Sequence, residues 1–75
     1  VIDPRGLNVK DWCDLTALDL GQLVTVPTLL SEHDWQRWAI SVSSSTKISQ
    51  FHPPDPRHFG DWREWAMRFI QAVPL

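Results

Sequence analysis

A chain of 75 residues allows one domain, 1–75, with a core small enough to need support from a disulfide, a metal or a partner chain. The single cysteine, Cys13, excludes an internal disulfide, and no Cys/His pair has zinc-like spacing, so association with other subunits is the expected support. Seven Lys plus Arg against nine Asp plus Glu, interspersed along the chain, give a net charge of -2 and argue against a general nucleic-acid binder.

The first predicted element is a helix over 9–20. Asn8 can cap it, Asp11 follows three residues on, and Val9, Trp12, Cys13, Thr16 and Leu20 recur on one face, broadened by Leu15 and Leu18. Gly21 is a natural stop. Leu23-Val24-Thr25-Val26-Pro27 is β-branched and too short for a helix, which makes it an extended linker or a minor strand.

The second helix is expected over 32–42, with Ser31 as cap and Trp35, Trp38, Ala39 and Val42 on its apolar face. Residues 43–56 then read as an extended linker within the domain. A serine run begins it, and Phe51-His52-Pro53-Pro54-Asp55-Pro56, which favours stiff polyproline geometry, ends it.

The last helix, expected over 57–73, has the clearest stripe: Phe59, Trp62, Trp65, Ala66, Phe69, Ile70 and Val73 against Asp61, Arg63, Glu64, Arg68 and Gln71. Asp55-Pro56 resembles an N-cap followed by proline at the first helical position, while Gly60 leaves open a start near Asp61. Glu64 and Arg68 are placed to pair at i,i+4, and Pro74 closes the element. The fold class is therefore all-α, with three short amphipathic helices joined by Ser/Pro-rich connections. The expected core is Trp12, Trp35, Trp38, Trp62, Trp65, Phe69 and Ile70.

Asp34-Trp35-Gln36-Arg37-Trp38-Ala39-Ile40 matches Asp61-Trp62-Arg63-Glu64-Trp65-Ala66-Met67 at a separation of 27 residues. The match fits a duplication, and equally the small vocabulary of short amphipathic helices. In both copies the last residue, Ile40 or Met67, lies roughly 150° from the centre of its apolar stripe. Isolated exposed apolar residues are ordinary. The sharper expectation is that Ile40 and Met67, with Phe51, Pro53 and Pro54 of the connection, mark a partner-facing surface.

Candidates for chemistry are few. Cys13 with His33, His52 or His58 carries no local nucleophile signature, and a cysteine on an apolar helical face is ordinarily a small core residue. His52 and His58 flank the proline-rich bend at a spacing that does not define a metal site. The isolated Gly6, Gly21 and Gly60 form no phosphate loop, and Asp11, Asp34 and Asp61 sit at helix starts, where capping accounts for them. Trp35, Arg37 and Trp38, or Trp62, Arg63 and Trp65, could stack on bases or sugars, but the stripe continues into Phe69 and Ile70, which favours core packing. No catalytic residue, cofactor, metal or small-molecule substrate is expected. No stretch approaches the roughly 20 apolar residues of a membrane span.

Residues 53 to 69, a proline-rich lead followed by Asp61-Trp62-Arg63-Glu64-Trp65-Ala66 and an apolar helix, resemble a segment of small virion structural proteins of tailed bacteriophages. The stretch from Val26-Pro27 to Ala39 resembles the companion segment of the same proteins. The resemblance covers about half the chain and rests on a low-complexity motif. It implies a non-enzymatic accessory component of the head, neck or tail, located in the virion. Its implied partners are other virion structural proteins and copies of itself, without direct nucleic-acid or membrane contact. The alternative from a different class is a small adaptor that binds a cellular partner helix through its aromatic face.

Overall fold

The computed structural model describes residues 2–27 and 33–75. Among these the protein is helical without strands, in the order α1 (Val9–Asp19), α2 (Trp35–Ser43), α3 (Thr46–Ser49), a single 3-10 turn (Pro56–His58) and α4 (Trp62–Ala72). The expected all-α class holds, with a fourth helix added.

α1 begins and ends as its sequence predicts. The Asn8 side chain accepts a hydrogen bond from the Asp11 backbone N–H at 2.8 Å. At the other end Gly21 turns left-handed at φ +71, so its N–H reaches the Leu18 carbonyl at 3.1 Å and the Gln22 N–H reaches Ala17 at 2.7 Å. These two bonds form a Schellman closure, which satisfies the carbonyls left over by the last turn. Beyond it, residues 23–27 run without strand pairing, so this segment is the linker and not the strand.

Three boundaries differ from expectation. α2 starts at Trp35 instead of residue 32, with Asp34 in the cap position; the proposed cap Ser31 lies outside the described residues. The segment 43–56 is not wholly extended, because Thr46–Ser49 closes one helical turn and buries Ile48 against the core. A single apolar residue in a serine-rich run has no periodicity to reveal such a turn. Finally, the element expected over 57–73 is split. Asp55 does cap, accepting from the Arg57 N–H at 3.0 Å, but it caps only the 3-10 turn. Phe59 is extended (φ -122, ψ 137), and a new cap follows at Asp61, whose side chain accepts from the Arg63 N–H at 3.0 Å. Extended backbone at Phe59 interrupts the hydrogen-bond ladder, so the two caps serve two elements.

The core is one cluster in which Trp12, at 1% exposure, is the hub. Its ring lies 5.9 Å from Trp38, 6.1 Å from Trp62, 5.8 Å from Trp65 and 6.2 Å from Phe69, three of these edge to face. Trp35 and Trp65 add a tilted pair at 5.9 Å, and Trp65 stacks on Phe69 at 4.9 Å. All five tryptophans and Phe69 are buried within one chain as expected, while Ile70 packs half-buried at the edge. The radius of gyration, 10.8 Å, matches the roughly 11 Å of a close-packed domain of this length.

Polar groups of the aromatic residues and of Gln36 pin the irregular segments to this core. The Trp12 indole N–H donates to the Ile2 carbonyl at 3.3 Å and the Trp65 indole N–H to the Pro54 carbonyl at 3.0 Å. The Gln36 amide donates to the carbonyls of Pro56 (3.2 Å) and Phe59 (3.0 Å), which ties α2 to the 3-10 turn. The periodicity of α2 gives no hint of that role for Gln36.

Candidate functional site

With the rings turned inward, the outer surface carries the apolar groups free to meet something else. Among the described residues five large ones are exposed: Leu15 (42%), Leu18 (61%), Leu23 (43%), Ile40 (40%) and Phe51 (40%). Ile40 and Phe51 belong to the expected partner-facing set. Met67, Pro53 and Pro54 of that set are half-buried, and the Pro54 carbonyl is engaged by Trp65 of the same chain.

Leu15 and Leu18 correct the reading of α1. They were expected to broaden its buried face, yet they point outward. The wheel that singles out Ile40 singles them out too: they lie roughly 130° and 170° from the centre of the stripe formed by Val9, Trp12, Cys13, Thr16 and Ala17. Leucine in an apolar-rich helix draws an assumption of burial that the angle overrules.

Two grooves run along this surface. One, of roughly 450 Å³, is lined by Leu15, Ala17 and Leu18 of α1 and by Val24 and Val26 of the linker. The other, of roughly 700 Å³, lies between Leu23 and Val24 on one side and, on the other, Ile40 and Ser41 of α2 with Ser44 just beyond its end. They meet at Val24 and Thr25, which line both. Four of the five exposed large apolar residues among those described therefore lie along one continuous strip, and that continuity separates the strip from scattered surface leucines.

The titratable groups do not converge. His33, His52 and His58 are all exposed, and no group of three His, Cys, Asp or Glu among the described residues is placed to hold a metal ion. Burial pushes the Cys13 thiol far above its ordinary range, with the nearby Asp14 carboxylate adding to the rise. The group is then a thiol at neutral pH, packed within the core. The remaining shifts come from local ion pairs. Arg57 holds the Asp55 carboxyl down at about 2 through side-chain and backbone hydrogen bonds, Arg5 lowers Asp3 in the same way, and Lys10 is raised by its 2.7 Å pair with Asp14. The expected Glu64–Arg68 pair is not formed.

No protein-family model, curated protein or solved structure matches the chain.

Proposed function

We propose that the chain is a non-enzymatic structural component of a tailed-phage virion that packs against other virion subunits in a symmetric assembly. The observation that carries the packing role is the exposed strip of Leu15, Leu18, Leu23 and Ile40 on a domain whose tryptophans are already spent in its own core. The virion assignment draws its support from the resemblance of residues 53 to 69, and of the stretch ending at Ala39, to such proteins. An adaptor gripping a helix with its aromatic face is less well supported, because Trp12, Trp35, Trp38, Trp62 and Trp65 are each at most 5% exposed. Quantitative mass spectrometry of purified particles tests the proposal. Recovery of the chain at a fixed, high copy number per particle is the expected result, and absence or variable trace amounts would overturn it.

A further inference from the structure

The strip has two chemically different ends. On the outer face of α1, Asp11 and Asp19 stand one turn before and one turn after Leu15, while Asp14, beside Leu18 on the wheel, is paired with Lys10. At the α2 end, Arg37 is on the exposed face one turn before Ile40, and Lys47 follows Thr46, which lines the same groove. Arg37, Lys47, Asp11 and Asp19 are all exposed, and none is in an ion pair among the described residues. Asp11 and Asp19 flank the α1 side of the strip and Arg37 and Lys47 its α2 side, outside the groove linings themselves, and that arrangement makes the surface self-complementary. A half-turn about an axis near Val24 lays the acidic end of one copy on the basic end of the other and closes apolar groove on apolar groove.

We propose that this strip is the contact between two copies of the chain, joined across a two-fold axis with Leu15 and Leu18 of one copy facing Ile40 of the other. Asp11 and Asp19 then face Arg37 and Lys47 of the second copy. The proposal rests on the reading of the chain as an assembling subunit and supplies its first contact. It also gives a reason for the leucines of α1 to face outward.

The test uses the whole chain and two exposed double variants, Asp11→Lys with Asp19→Lys and Arg37→Glu with Lys47→Glu, in sedimentation velocity at low salt. Circular dichroism verifies that each is folded. The wild type is expected to dimerise with rising concentration, and each variant alone to dimerise at least about tenfold more weakly, because like charges now meet at both ends. An equimolar mixture of the two variants is expected to restore the dimer, since every contact between unlike chains again pairs acid with base. A wild type that stays monomeric to millimolar concentration, reversals without effect, or a mixture that does not recover would each overturn the proposal. Particle stoichiometry separates the outcomes: a chain present at fixed copy number yet monomeric when free leaves the virion reading standing and removes this contact.

Discussion

The rings of Trp12 and Trp65 meet edge to face, with centroids 5.8 Å apart and planes 82° apart, which couples the first helix directly to the last. Edge-to-face geometry sets the positive rim of one ring against the negative face of the other, worth about 0.5–1.5 kcal/mol beyond the area buried. Because Trp12 also meets Trp38, Trp62 and Phe69, its loss opens a large void at the centre of the core. Trp12→Ala is expected to cost about 3–5 kcal/mol, out of a total near 4–11 kcal/mol for a domain of this length. Urea unfolding followed by circular dichroism should show a midpoint well below that of wild type, and Trp12→Phe an intermediate one. A Trp12→Ala midpoint within experimental error of wild type would contradict the hub assignment.

Trp65 and Trp62 separate ring volume from hydrogen bonding. The Trp65 indole N–H donates to Pro54, whereas that of Trp62 is buried without a partner among the described residues. Replacing each by Phe removes similar volume, but only Trp65→Phe strands a carbonyl. It is expected to be the more destabilising by about 1 kcal/mol, read from the two denaturation midpoints. Equal losses would show that the Pro54 contact contributes nothing.

Gln36 presents an amide donor to two carbonyls, so Gln36→Glu places an acceptor where both neighbours also accept. A loss of about 1–3 kcal/mol at neutral pH is expected. The carboxyl introduced there has its folded-state pKa raised, because its charged form is the disfavoured one; the folded state then binds the proton more readily, and the lost stability returns as pH falls. A loss independent of pH would argue against this geometry.

The Asp55 carboxylate is held down near 2 by Arg57. A lowered folded-state pKa contributes stability that is fully present above the unfolded value of 3.8 and is lost as pH falls toward about 2. Both side chains are on the surface, so the effect is small and screened by salt. Asp55→Asn should flatten the acid limb of the stability profile between these values, and the difference from wild type should shrink in high salt. An unchanged acid limb would remove the pair from the account.

Cys13 is expected to resist alkylation at mildly alkaline pH in the native protein and to react at once when unfolded, since burial keeps it a thiol. Mass-spectrometric labelling in buffer and in guanidinium measures this. Rapid native labelling would place the residue outside the core.

The parts of this fold readable in advance are those fixed by periodicity and by caps acting over three residues. The Asn8 cap and Gly21 stop of α1, and the inward stripe of Trp62, Trp65, Ala66 and Phe69, belong to that class. What escaped depends on competition between neighbouring signals or on groups distant in sequence. Asp55 and Asp61 are both competent caps, and only the extended backbone at Phe59 decides that they start separate elements. The α3 turn owes its existence to one buried side chain, Ile48, which a four-residue window cannot distinguish from chance. The outward strip was half legible: Ile40 stood out by its angle, whereas Leu15 and Leu18 were grouped with the core because leucine ordinarily belongs there.

The placement of the hub sets the order of events while the chain is being made. Trp12 is made well before Trp62, Trp65 and Phe69, so the aromatic cluster cannot close until α4 has been made. A product truncated before α4 would carry α1 and α2 with their rings uncovered, a sticky fragment suited to capture by chaperones. Docking of α4 is thereby the step that covers the rings of α1 and α2 and completes the core.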